Sequence, residues 1–118
     1  MRFSVKQWDP EYYDNFKIDI YNFTKLEFYT LSFNNKTVML QYHNSSGIFN
    51  LVSKKTYCFI PFGIWIDYSL IAGSDEIILR CENDKTPIIQ WNQNEPYFNA
   101  AYFTFESVND RAMGLNFL

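Results

Sequence analysis

Hydrophobic and polar residues alternate with a period of two along nearly the whole chain, and only short clusters of Asn, Gly, Ser and Pro interrupt them. Successive side chains of a strand point to opposite faces, so this period marks strands with one face on a core and the other in water. Residues 2–7 set Phe3 and Val5 against Arg2, Ser4 and Lys6 and predict a first strand, which Trp8-Asp9-Pro10 ends. Residues 11–15 are the one stretch suited to a helical turn. Beyond them Phe16, Ile18 and Ile20 alternate with Lys17, Asp19 and Tyr21. Residues 25–33 follow, with Leu26 and Phe28 on the apolar face against Glu27 and Tyr29, and Asn34-Asn35 turns the chain into a hairpin mate at residues 36–42.

His43-Asn44-Ser45-Ser46-Gly47 reads as a turn, residues 48–52 as a strand, and Ser53-Lys54-Lys55 as the lead into another strand at residues 56–60. Pro61 and Gly63 bend the chain or carry it between sheets. Strands are predicted again at residues 64–68, 76–82, 87–91 and 101–106. Ala72-Gly73-Ser74-Asp75 and Asn83-Asp84-Lys85 are the turns between them, residues 92–95 with Pro96 form a loop, and residues 115–118 close a sheet edge. Strands returning about every 8–12 residues specify an all-β fold, an antiparallel β-sandwich of the lectin-like or jelly-roll type, rather than βαβ units.

At 118 residues the chain can bury one sizeable core, and no linker-like stretch divides it, so a single domain over residues 1–118 is expected. A hydrophobic fraction of 47% and an aromatic fraction of 20% exclude disorder. The formal charge is −3 and Lys54-Lys55 is the only adjacent basic pair, so there is no stripe to displace counterions from nucleic acid. Pro61, Gly63 and Asp67 interrupt the longest apolar run, which leaves no membrane-spanning helix. The first residues lack the apolar stretch of a signal peptide, which fits either a cytoplasmic protein or a chain that begins after processing. Three triplets favour secretion: Asn22-Phe23-Thr24, Asn35-Lys36-Thr37 and Asn44-Ser45-Ser46 all match the glycosylation acceptor pattern, although an Asn-rich chain also yields such triplets by chance. Cys58 and Cys81 both fall on inward-facing positions, and if the protein is secreted they are expected to form a disulfide joining strands within the sandwich.

Catalytic signatures are missing. His43 is the sole histidine and reads as a turn residue, and no sequence signature supplies a group to orient it as a base. Asp67, Asp75, Glu76, Glu82 and Asp84 crowd one interval without the carboxylate spacing of a calcium loop, so no metal or cofactor is expected. The aromatics are the better lead. Trp65, between Ile64 and Ile66, reads as core or half-buried, whereas Trp8, Trp91 and Tyr97 adjoin loops. Trp91 opens into Asn92-Gln93-Asn94-Glu95, and amides beside an aromatic suit a sugar surface, so Trp91, Asn92, Asn94, Tyr97 and Trp8 are the candidate ligand contacts. The competing reading makes Trp91 wholly core.

Two segments carry a family resemblance. Phe28-Tyr29-Thr30-Leu31-Ser32-Phe33, the turn Asn34-Asn35-Lys36 and Thr37-Val38-Met39-Leu40 form one. Phe62, Ile64-Trp65-Ile66, Glu76-Ile77-Ile78-Leu79 and Pro87-Ile88-Ile89-Gln90-Trp91 form the other. Both are similar to the strand patterns of the farnesoic acid O-methyltransferase-like domain of animal proteins, over roughly residues 28–107, although that family's Gly-Gly, Asn and Ser-x-Ile-Arg stretch is absent from residues 47–57. The resemblance implies a lectin-like sandwich that often sits beside other lectin-like modules. Methyl transfer does not follow, because no Gly-rich strand-to-helix turn is present to hold a cofactor. The sequence therefore points to a non-catalytic, secreted module that recognises a carbohydrate or a protein surface. The alternative is a small acidic inhibitor or immunity-type protein that covers a partner enzyme.

Overall fold

The computed structural model describes residues 1–7, 15–22, 26–34, 36–56, 58, 63–73, 76–81, 84, 86–92, 100, 102–107 and 113–117. Ten strands run through them: β1 (Arg2–Gln7), β2 (Phe16–Tyr21), β3 (Phe28–Asn34), β4 (Thr37–Asn44), β5 (Gly47–Lys55), β6 (Trp65–Ala72), β7 (Glu76–Cys81), β8 (Ile89–Asn92), β9 (Tyr102–Ser107) and β10 (Met113–Phe117). They form two five-stranded antiparallel sheets, ordered β10-β1-β6-β7-β8 and β5-β4-β3-β2-β9. The chain is an all-β antiparallel β-sandwich.

The inward faces explain why these segments are strands. Phe3 and Val5, Ile66, Tyr68 and Leu70, and Ile77, Leu79 and Cys81 from the first sheet meet Phe16, Ile18 and Ile20, Tyr29, Leu31 and Phe33, and Val38 and Leu40 from the second, all of them buried. Each such side chain contributes about 1.5–3 kcal/mol by leaving water. Rings fill the middle: Phe3 stacks on Tyr68 at 5.2 Å, and Phe16 lies between Phe33 at 4.2 Å and Phe105 at 5.1 Å. Met1 extends β1, its backbone exchanging hydrogen bonds with Leu70. A bulge sits between β4 and β5, where Leu40 pairs with Val52 but Gln41 pairs with Asn50, leaving Leu51 as the extra residue. Such an insertion bends the strand and increases its twist.

Four expectations change in the structure. His43 lies on β4, paired with Phe28 and Ile48, and the turn shrinks to Ser45-Ser46. The Asn44 side-chain oxygen accepts from the Ser46 N–H at 2.8 Å, and Gly47 takes the φ of 137° that a residue with a Cβ would resist. Second, the facing of β3 is reversed: Tyr29, Leu31 and Phe33 are buried, Leu26 is exposed, and Phe28 stands on the outer face. A shift of one residue exchanges the two faces of a strand. Third, Ser53-Lys54-Lys55 belongs to β5, and Thr56 and Cys58 leave the strand because the Thr56 hydroxyl captures the Cys58 N–H at 3.2 Å. Fourth, Trp65 is 45% exposed: Ile66, Tyr68 and Leu70 take the inward positions of β6, and the Trp65 ring lies under the Lys6 ammonium at 5.8 Å. The helical turn expected before β2 falls outside the described residues but for Asn15, which is irregular.

Candidate functional site

The outer face of β5-β4-β3-β2-β9 carries two cross-strand rows whose members lie in direct register. The first runs Tyr102, Tyr21, Phe28, His43 and Ile48, one residue from each strand. The second, one pleat away, runs Thr104, Asp19, Thr30, Gln41 and Asn50. Neighbouring strands are about 4.8 Å apart, so each row is about 19 Å long.

Four rings of the first row stack on one another. Tyr102 and Tyr21 are 4.9 Å apart and 12° from parallel, Tyr21 and Phe28 4.9 Å and 27°, and Phe28 and His43 4.2 Å and 10°. Because Tyr21 and Phe28 have a ring against each face, they present their edges to solvent. The stack is therefore a wall along the sheet rather than a flat platform. It also shelters what lies beside it. Asp19 is only 9% exposed and Thr30 only 4%, although both point away from the core.

Those sheltered polar groups are joined across the strands. The Thr30 hydroxyl donates to the Asp19 carboxylate at 2.7 Å, and Thr30 Oγ1 lies 3.1 Å from His43 Nε2. A hydroxyl has a single proton. With that proton given to Asp19, the Thr30 oxygen accepts from His43 Nε2–H, which leaves Nδ1 of the neutral ring as an acceptor. The Tyr21 hydroxyl reaches Asp19 at 3.5 Å and accepts in turn from Thr104. Towards the other edge the Gln41 amide donates to Asn50 at 2.8 Å. Burial lowers the His43 imidazole from its ordinary value; Asp19 opposes this and Lys17 adds to it. Burial likewise raises the Tyr21 phenol, helped by Asp19 and Tyr102. Beyond the polar row, Lys17 pairs with Glu106 at 3.4 Å, so the charge on that flank is largely compensated.

The contacts expected from sequence are not gathered in one place. Trp91 is half-buried, on the inward face of β8 opposite Ile77, and it packs against the core. Its indole hydrogen-bonds the Tyr29 hydroxyl on β3, so it ties one sheet to the other. Burial, with Tyr42 and Glu27 adding, pushes the Tyr29 phenol up to about 12. Asn92 pairs with Glu76 and lies on the opposite face of β8, exposed. Trp8, Asn94 and Tyr97 lie outside the described residues, as does Asn35. Asn22 is half-buried just after β2, and Asn44 has its amide engaged by Ser46 and the Tyr42 hydroxyl. A disulfide joins Cys58, in the turn after β5, to the buried Cys81 on β7, with Cα atoms 6.6 Å apart. Among the described residues no group of three or more His, Cys, Asp or Glu converges as a metal site.

The sequence reading missed Asp19, Thr30, Gln41, His43 and Asn50. A signal was present in part: Tyr21, Phe28, His43 and Tyr102 lie at or one residue from the ends of adjacent strands, but their alignment depends on the pairing of β2 with β9, some eighty residues downstream.

No family model matches the chain, and no curated protein does. Solved structures do. Sheep galectin-11, in its complex with glycerol, superposes with a TM-score of 0.69 at 12% identity, over 98% of this chain and 86% of that one. The carbohydrate-binding module CBM66 from Bacillus subtilis superposes with a TM-score of 0.62, also at 12% identity, over 97% of this chain and 68% of that one. This chain shares their β-sandwich fold.

Proposed function

We propose that this protein is a non-catalytic carbohydrate-binding module whose ligand lies along the polar row, against the wall of stacked rings. The observation that carries the reading is the row itself. Five hydrogen-bonding side chains, one from each strand, are held in register, and Asp19 with Thr30 and Gln41 with Asn50 are tied across strands, so these four lose little side-chain freedom when sugar hydroxyls displace water. Gln41, Asn50 and Thr104 supply donors and acceptors at the surface, and His43 Nδ1 supplies a further acceptor. The ring edges and Ile48 provide apolar contact for the C–H groups of a pyranose.

The carbohydrate-binding module in CBM66's name supports the reading, and the galectin neighbour shares the lectin-like sandwich; the resemblance of residues 28–107 to the farnesoic acid O-methyltransferase-like domain has no matching family model behind it and adds nothing to it. One observation on the chain itself favours binding over catalysis. Thr30 directs its proton to Asp19 rather than to His43, and the three groups are arranged to hold a position rather than to generate a nucleophile. Separately, the Cys58–Cys81 bond fits an extracellular setting.

Fluorescently labelled protein on a printed glycan array tests the proposal. The wild type should give a restricted set of binding glycans, and Gln41→Ala with Asn50→Ala should reduce binding at least tenfold with an unchanged melting temperature. Ile48 and Phe49, 63% and 44% exposed on the edge strand β5, give the protein-surface reading its footing. An empty array together with stoichiometric capture of one host protein, lost on Phe49→Ser, would put that reading first.

A further inference from the structure

The wall of rings beside the polar row contains one histidine, and its surroundings define what protonation does. His43 is the only histidine of the chain. Its ring is stacked on Phe28 at 4.2 Å and its Nε2–H is committed to Thr30, whose own proton goes to Asp19. Among the described residues no hydrogen bond to Nδ1 is present. The neutral imidazole is thus held in one tautomer, with the lone pair at Nδ1 left as its acceptor. Protonation converts that acceptor into a donor while leaving the ring in place.

Resting on the carbohydrate reading, we propose that the polar row is proton-gated: it holds its glycan while His43 is neutral and releases it when His43 Nδ1 takes up a proton in acid.

Among the described residues, the charged and titratable groups around His43 are few. From β2, across β3, come Asp19, Lys17 and Tyr21; Glu27 and Tyr42 hydrogen-bond each other near the same end. On the β5 side the neighbours are Ile48 and Asn50, which carry no charge, and Lys54 and Lys55 lie at the far end of that strand. Lys17 is paired with Glu106, and Asp19 acts through Thr30. Burial leads these influences and holds the imidazole below its ordinary value, so the ring is neutral at pH 7.4. The sign follows by linkage. A hydroxyl donating to Nδ1 binds only the neutral ring, so a bound ligand lowers the His43 pKa further, and protonation must weaken the ligand by the same factor. Affinity is then flat above the pKa of the free protein and falls up to tenfold per pH unit below it, until the pKa of the complex is reached.

Three readouts test this. In the free protein, the single set of histidine ring signals in ¹⁵N-resolved NMR should show the Nε2–H tautomer at pH 7.4 and titrate at a pKa below that of a free imidazole. The glycan array, read at pH 7.5, 6.0 and 5.0, should lose its signal in acid while circular dichroism shows the fold intact. His43→Gln, which keeps amide hydrogen bonding without titrating, should bind more weakly at pH 7.5 and with no pH dependence over that range. Wild-type binding of constant strength from pH 7.5 to 5.0, or the same acid loss in His43→Gln, would overturn the gate alone. No glycan bound at any pH would overturn the carbohydrate reading and the gate with it.

Discussion

Replacing Thr30 with Val tests the centre of the polar row with the least disturbance of shape. Valine keeps the β-branched outline that a strand favours and removes only the hydroxyl. That hydroxyl donates to Asp19 at 2.7 Å and accepts from His43 Nε2 at 3.1 Å, and Thr30 and Asp19 are both almost fully covered. Its loss leaves a sheltered carboxylate without its nearest donor and a ring N–H without its acceptor. A hydrogen bond to a charged group is worth about 1.5–3 kcal/mol, and the remaining His43 contact is partly replaced by water, so Thr30→Val should cost about 2–3 kcal/mol. For a domain of this length that lowers Tm by roughly 8–12 °C. Asp19→Val should cost less, because it removes the group that is expensive to bury unpaired. The double variant should be more stable than the sum of the two by at least about 1 kcal/mol, since the sheltered carboxylate is then gone and only the His43 N–H, which water partly serves, lacks its partner. Urea unfolding of the four proteins at pH 7.4 measures the cycle. If the two costs simply add, or if Thr30→Val melts with the wild type, the cross-strand relay is not a stabilising unit and the argument for a preorganised row fails.

The Cys58–Cys81 bond closes a segment of 23 residues' separation, for which the chain-entropy relation gives about 3 kcal/mol, so Cys58→Ser with Cys81→Ala should lower Tm by about 10 °C. Intact-mass analysis after alkylation without reductant should find no modified thiol in protein made in an oxidising compartment, and two modified thiols would refute the bond. Trp91→Phe keeps a ring against the core and removes the donor to Tyr29, at about 1 kcal/mol, whereas Trp91→Ala should cost about 3 kcal/mol in urea unfolding and leave array binding by the folded protein intact. Undiminished stability of Trp91→Ala with loss of array binding would instead return the site to the β8 end of the sandwich.

Why the fold was legible and the site was not comes down to the range over which each is encoded. In β1, β2 and β7 the alternation of Phe3 and Val5, of Phe16, Ile18 and Ile20, and of Ile77, Leu79 and Cys81 is unambiguous, and the structure buries those residues. The fold class follows from such strands and the turns between them. It fails where both faces are apolar. In β3, Phe28 and Tyr29 are adjacent aromatics, and the pattern of the preceding Leu26 and Glu27 favours putting Phe28 inside. The three residues that decide the matter, Tyr29, Leu31 and Phe33, share a face by the pleat, and that face turns to the core because they pair with the buried Ile20, Ile18 and Phe16 on β2. Trp65 illustrates the converse: an aromatic flanked by two isoleucines reads as core, yet the alternation of β6 had already given the core to Ile66, Tyr68 and Leu70.

The misplaced Phe28 is also what concealed the candidate site. With Phe28 assigned to the core, Tyr21, His43 and Tyr102 are three unrelated polar-face residues, and His43, next to Asn44 and Gly47, looks like part of a turn. With Phe28 on the outer face, the register of β9, β2, β3 and β4 sets the four rings one strand apart, and the neighbouring row of Thr104, Asp19, Thr30 and Gln41 follows without further assumption. No local window contains this arrangement, because the strands that make it come from residues 16–44 and 102–107 and are joined only by the sheet. The same logic accounts for the buried Asp19. An isolated carboxylate on the polar side of a strand reads as solvated, and here it is covered because the flanking rings close over it and Thr30 and Tyr21 turn their hydroxyls towards it. A polar side chain that remains covered on an outer face, at the cost of desolvation, is best explained by what its network holds in place. In this protein that is a histidine fixed in one tautomer and a row of hydrogen-bonding groups set at the spacing of the strands.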